Sequence, residues 1–169
     1  MAAQRIVRPV IRRLGKGDRD LARRVFTLMA EVFGESSAPL PDGYLDRLLE
    51  RDDFWAFAAL DGSTVAGGLT AHTLPMTRHV WPELFIYDVA VSQQYQGQGV
   101  GRALMLAVRQ EAAMKGISDL FVPADTADAH AVDFYRALGG TAAAVTMFTF
   151  SPLETPVDAE SGEASAAST

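Results

Sequence analysis

Residues 85–105 read FIYDVAVSQQYQGQGVGRALM, and the fold is decided there. The stretch opens as an apolar run with one carboxylate, Asp88, in its middle. Gly97, Gly99 and Gly101 then fall at alternate positions. Apolar residues at helical spacing follow at once, through Val100, Leu104, Ala107, Val108 and Met114, and stop at Gly116. The run 83–91 is too apolar throughout for a half-exposed strand, which assigns it to a sheet covered on both faces. A strand leading through a glycine-rich turn into a helix has the ingredients of an anion cradle. The first helical turn leaves N–H groups unpartnered and the helix dipole adds partial positive charge. Glycines let several of those groups converge on one phosphate. The same residues also suit a plain tight connection. Two nucleotide motifs are missing: no Gly-Lys is followed by Ser or Thr, and the glycines alternate instead of following Gly-x-Gly-x-x-Gly.

Outward from this stretch the chain alternates between strand and helix patterns. Residues 6–14 read as a first strand with Pro9 near an edge. Asp18 is a candidate N-cap for a helix carrying Leu21, Val25, Met29, Val32 and Phe33, ended by Gly34. ESSAPLPDG is a loop by composition, and Tyr44, Leu45, Leu48 and Leu49 mark a second helix. FWAFAAL and VAGGLTAHTL, joined by DGST, form a hairpin. DLFVPA reads as a short buried strand, DAHAVDFYRALGG as a helix and AAVTMFTF as a last strand. The order β-α-α-β-β-β-α-β-α-β defines one α/β domain over residues 1–150, with helices covering a mixed sheet. Residues 151–169 are small, acidic and without apolar periodicity, the composition of a disordered tail.

Bulk properties narrow the function. The chain has 169 residues, 49% hydrophobic and 21% charged, as in ordinary globular proteins. No apolar run reaches the roughly 20 residues of a membrane span, and the N-terminus lacks the apolar core of a secretory signal. With no cysteine there is neither a disulfide framework nor thiolate chemistry, and a cytoplasmic address fits. The net charge of −6 disfavours a nucleic-acid partner and suits a cationic small molecule.

Two motifs carry a family resemblance. Gln96, Gly99 and Gly101, continued by Arg102, Ala103 and Leu104, resemble the acyl-CoA loop of the GNAT N-acetyltransferase superfamily: Gln or Arg, two residues, Gly, one residue, then Gly or Ala. DAHAVDFYRALGG is similar to that family's N-x-x-A-x-x-F-Y-x-x-L-G-F element, with Ala131, Phe134, Tyr135, Leu138 and Gly139 in place. Asp128 stands where Asn is usual and Gly140 where an aromatic is usual. The element order from residue 5 to about 150 matches as well. The resemblance implies a GNAT fold, classed α/β or α+β. Its mixed sheet would have about six to seven strands splayed between the fourth and fifth, flanked by about four helices. It implies acetyl-CoA as cosubstrate and no metal. The cofactor arm would lie along Val89, Ala90 and Val91, with its pyrophosphate on Gln96, Gly97, Gln98, Gly99, Val100, Gly101 and Arg102. Asp128, Ala131 and Tyr135 would border the cofactor too. A backbone N–H near Val89 would stabilise the tetrahedral oxyanion, and Tyr135 would be the general acid.

Asp88 is the second catalytic candidate. Regular strand alternation places Leu84, Ile86, Asp88 and Ala90 on one face and Phe85, Tyr87, Val89 and Val91 on the other. An isolated buried carboxylate is costly, so Asp88 must be paired, hydrated or at a break in the ladder. Either it bonds backbone groups at a bulge, or it faces the acceptor, anchors an ammonium and helps remove its proton. Glu83 would share that work or simply be solvated.

Acids recur where an acceptor would bind. Glu35, Asp42 and Asp46, with Tyr44, lie between the first helices; Asp125 and Asp128 follow the fifth strand, and Tyr87 flanks Asp88. Such a cleft suits a polycation, although loop acids also serve as caps and solvated surface. VFGESSAPLPDGYLDRLLERDDFWAFAAL, ELFIYDVAVSQQYQGQGVGRALM and VPADTADAHAVDFYRALGG resemble the aminoglycoside 3-N-acetyltransferases of antibiotic resistance. That branch implies acetylation of a 3-amino group on gentamicin-like drugs and a homodimer formed through VTMFTF. The alternatives are a GNAT enzyme for a polyamine, a protein N-terminus or a lysine, an idle acetyl-CoA sensor, or a nucleotide-binding module.

Overall fold

A computed structural model describes residues 8–36 and 38–152. Its elements are β1 (Val10–Leu14), α1 (Arg19–Phe33), α2 (Asp42–Leu49), β2 (Phe54–Asp61), β3 (Thr64–Leu74), β4 (Glu83–Val91), α3 (Val100–Met114), β5 (Leu120–Phe121) and α4 (Ala129–Ala137), with a single 3-10 turn at Gln93–Tyr95. The strands form one sheet in chain order, antiparallel throughout except for the parallel β4–β5 pair. The hairpin falls where Asp61-Gly62 places it, with Asp61 opposite Thr64 and Gly62 at φ 61°.

Both faces of the sheet are covered, and β2 shows why its sequence is apolar without alternation. Trp55, Phe57 and Ala59 pack on one side with Leu104, Val108 and Ala112 of α3. Phe54, Ala56 and Ala58 pack on the other with Val25 and Met29 of α1 and Leu49 of α2. Each buried Leu, Val or Phe contributes about 1.5–3 kcal/mol. The pair Gly67-Gly68 in β3 sets how closely the helices approach. A Cβ on Gly68 would lie 2.4 Å from Val25 Cγ1, and one on Gly67 2.7 Å from the Ala90 carbonyl and 3.2 Å from Val100 Cγ1. α1 therefore rests directly on the middle of the sheet. Asp18 precedes α1 without capping it; its carboxylate accepts the Gly15 N–H and pairs with Arg12.

The expectation of six to seven strands is corrected to five. Among the described residues the stretch 141–150 is in no sheet, and Val145, Met147, Phe148 and Phe150 are largely exposed. A strand pattern becomes a strand only against a partner edge, and β5 offers just two residues. The four helices are as expected. The tail beyond residue 152 lies outside the described residues.

The edge between β4 and β5 opens as the resemblance implied. The two strands pair only at Leu84–Leu120 and Phe85–Phe121, so from Ile86 onward β4 is free of β5. On its other edge β4 contains an irregularity: Ala71 faces Ile86 but Thr70 faces Asp88, so Tyr87 is an extra residue. This β-bulge overturns the regular face assignment. Leu84 and Ile86 pack toward α3, and so do Val89 and Val91, while Ala90 packs toward α1. Tyr87 and Asp88 both turn to the α1 side.

Candidate active site

The bulge opens onto a cleft of about 610 Å³ between β3, β4, the second half of α1 and the loop after it. Thr70, Tyr87 and Asp88 form its floor; Glu31, Phe33 and Glu35 line its α1 side, and Arg23 and Leu40 its rim. Three carboxylates thus share the space with one cation, and the Arg23 guanidinium is engaged by Asp42 and by the Leu40 carbonyl at 2.6 Å. Asp88 is half-buried, and its Oδ2 accepts the Thr70 hydroxyl at 3.2 Å. Burial pushes its carboxyl up from the ordinary range, Thr70 and His72 pull it down, and the Glu35 charge adds to the rise. Tyr87 stands exposed beside it, edge-on to His72 at 6.0 Å and to Phe85 at 5.6 Å.

The second half of the site comes from α3 and α4. Gly97 and Gly99 adopt φ of 71° and 85°, which favours glycine, and a Cβ at either would meet open space. Gly99 is the N-cap of α3 and no side chain caps that terminus, so its first amides are available to an anion. Gln96 donates from Nε2 to the Val91 carbonyl at 3.2 Å and Gln98 to the Gln94 carbonyl at 2.6 Å, tying the loop to the end of β4. The residues fit a CoA pyrophosphate: an uncapped 15-residue helix, glycines opening onto free space, Arg102 in the first turn and the unpaired edge of β4 alongside. Gly101 has another task. A Cβ there would lie 3.1 Å from Phe134, so its bareness lets α4 pack on the start of α3. Arg109 adds a bond to the Leu138 carbonyl at 3.1 Å.

α4 presents Tyr135, part-buried against the α3-side core and 5.0 Å from Phe134, ring to ring. Burial holds its phenol above the ordinary value, and the Asp128 and Asp88 charges push the same way. Tyr135 and Asp88 thus lie within electrostatic reach across the opening between β4 and β5. Asp128 caps α4, accepting the Ala131 N–H at 3.0 Å, and Asp125 accepts the Ala127 N–H at 2.8 Å.

The expected acids therefore divide. Glu35, Tyr87 and Asp88 meet in the cleft. Glu83 begins β4, five residues from Asp88 and so roughly 16 Å along the strand. Asp42 and Asp46 are held by Arg19, and Asp42 also by Arg23. Asp125 and Asp128 shape the loop before α4. Sequence reasoning missed Glu31, Thr70 and His72. Glu31 was findable as an acid in the last turn of α1, just before the Glu35 loop, and Thr70 as the hydroxyl in an otherwise apolar half-strand.

A loop, a helix and a splayed strand of this kind define an acyl-transfer fold, and residues 20–139 match the model of the Acetyltransferase (GNAT) family. The chain belongs to that family, whose members use acetyl-CoA. Among solved structures it is similar to an aminoglycoside acetyltransferase, meta-AAC0020, from an uncultured soil metagenomic sample in complex with sisomicin. The identity is 32% and the TM-score 0.81, over 86% of this chain and 97% of that one. It is also similar to the aminoglycoside acetyltransferase HMB0005, likewise from an uncultured soil metagenomic sample, at 28% identity and a TM-score of 0.82, covering 87% and 100%. The [ribosomal protein bS18]-alanine N-acetyltransferase of Escherichia coli strain K12 is 33% identical over 64 residues, 38% of this chain. The match spans 43% of that curated relative's length. None of the described helices is long and apolar enough to cross a membrane.

Proposed function

We propose that the protein transfers an acetyl group from acetyl-CoA to the 3-amino group of gentamicin-like aminoglycosides, by direct transfer within a ternary complex. The observation that carries this reading is the cleft under the β4 bulge, where Glu31, Glu35 and Asp88 surround a space suited to a compact polycation. The similarity to aminoglycoside acetyltransferases supports it. Acetyl-CoA, when bound, supplies the acyl group and leaves as the thiol. Val89, Ala90, Val91, the loop 96–101 and Arg102 hold it. Asp88 anchors the acceptor's ammonium and, ionised above its raised pKa, receives the proton that the amine must lose. The part-buried Tyr135 phenol stays protonated at neutral pH and keeps its proton at Oη for the departing sulfur. Glu35 and Tyr87 orient the acceptor's remaining groups; Asp125 and Asp128 extend the negative field at the mouth.

A second reading, acetylation of a protein N-terminal amine, draws on the similarity to the bS18-alanine acetyltransferase. Purified protein with acetyl-CoA and gentamicin, kanamycin, spermidine or an alanine-terminated peptide, read by thiol release, separates the two. Aminoglycoside turnover with acetylation of the 3-amino group, placed by NMR of the product, supports the proposal. Turnover of spermidine or peptide alone sinks it, and bound acetyl-CoA without any turnover points to a sensor.

A further inference from the structure

We propose that Thr70 is a positioning residue for the acceptor: its hydroxyl fixes the Asp88 carboxylate through Oδ2 and leaves Oδ1 for the amine. This rests on the role given to Asp88 above.

The argument begins with where Thr70 sits. Because Gly68 lets α1 settle on the sheet, the next residue on that face, Thr70, is covered as well and is 7% exposed. It is the buried polar residue of the core among the described residues. Valine has nearly the same shape and would fill the position without a hydroxyl to desolvate, so packing alone does not explain threonine. The hydroxyl meets the Asp88 carboxylate 3.2 Å away, directly across the β3–β4 pair and next to the bulge. No other hydrogen bond to that carboxylate is made by the described residues. Threonine is also stiff at χ1, since both its branches are confined in a strand. A stiff donor on a paired strand holds a carboxylate that would otherwise swing freely over an irregular stretch of backbone.

The groups facing Asp88 are Glu31, Glu35 and Arg23 from the α1 side, His72 from β3, Tyr87 from β4 and Tyr135 from α4. None of these is hydrogen-bonded to the carboxylate; Thr70 is. Loss of its donor removes a contact that favours the charged form, so Asp88 would ionise at higher pH.

The test compares Thr70→Val, Thr70→Ser and Asp88→Asn, singly and as Asp88→Asn/Thr70→Val, with gentamicin as acceptor. Thr70→Val is expected to move the acidic limb of the kcat/KM profile upward by about half to one pH unit. It should lower kcat/KM about tenfold while melting temperature and acetyl-CoA Kd stay within error. Thr70→Ser should stay within about twofold of the parent with its acidic limb in place. In the Asp88→Asn background Thr70→Val should cost nothing further, because the group it positions is gone. An unmoved acidic limb in Thr70→Val, or an equal loss in both backgrounds, would overturn the inference and leave the Asp88 role standing. Parental kinetics in Asp88→Asn would overturn both together.

Discussion

The carboxylate of Asp88 is half-buried and ionises less readily than a free aspartate, chiefly because burial disfavours its charge. A raised folded-state pKa means that the native protein holds this proton more tightly than the unfolded chain. The resulting penalty is absent below the unfolded pKa, grows as pH rises toward the folded one, and is fully present above it. Asp88→Asn is therefore expected to raise the melting temperature at pH 7 by roughly 2 °C, with the gain fading toward pH 3. The same substitution should cut kcat at least about tenfold with little change in acetyl-CoA affinity. Thermal melts across pH and steady-state kinetics check the two halves, and equal kcat would leave the residue structural. A side chain whose removal stabilises the fold while disabling it is the signature of a functional acid. Tyr135 sits on the safe side of the same physics, since burial favours the protonated form that the proposed general-acid role requires.

The element proposed to carry the cofactor is the start of α3. Gly99→Glu is expected to weaken acetyl-CoA binding more than about 100-fold, because its carboxylate would occupy the uncapped helix N-terminus and repel the pyrophosphate. Gly99→Ala shares the backbone strain at φ 85° but brings no charge, and should keep affinity within about tenfold. Calorimetry separates them; equal affinities would remove the phosphate role. This loop was legible in the sequence because its chemistry is local: glycine spacing, a helix start and the preceding strand lie within about 20 residues. Other elements were not. The last strand was misread because its apolar alternation is local while a sheet edge is not, and β5 supplies too little of one. The two faces of β4 were misassigned because periodicity assumes an unbroken pleat, and nothing in IYDVAV announces an extra residue. Glu83, Asp42 and Asp46 looked like equals of Glu35 for a related reason. Their arginine partners, or their distance from the cleft, come from tertiary packing alone.

Across the whole molecule the net charge of −6 and the three cleft carboxylates would act together on the proposed cationic acceptor. Their attraction is screened as the Debye length shrinks from about 10 Å at 0.1 M salt toward about 3 Å at 1 M. KM for gentamicin is expected to rise about tenfold between 0.05 and 0.5 M salt. KM for a monoamine should rise far less, and parallel curves would show that charge does not select the acceptor. The apolar stretch 141–150 adds exposed surface of the opposite character.

The bulge has one more consequence. With Tyr87 removed, Ile86 opposite Ala71 and Asp88 opposite Thr70 become consecutive pairs, and every remaining side chain of β4 keeps its side. In the β3–β4 register Tyr87 has no partner; it is a comma inserted into a ladder that continues without it. Deleting one residue from a central strand ordinarily ruins a sheet, yet deletion of Tyr87 is expected to leave a protein that melts near the parental temperature and transfers no acetyl group. If the shortened strand unfolds the protein instead, the extra residue belongs to the architecture; if it survives inert, architecture and chemistry have been parted by a single codon.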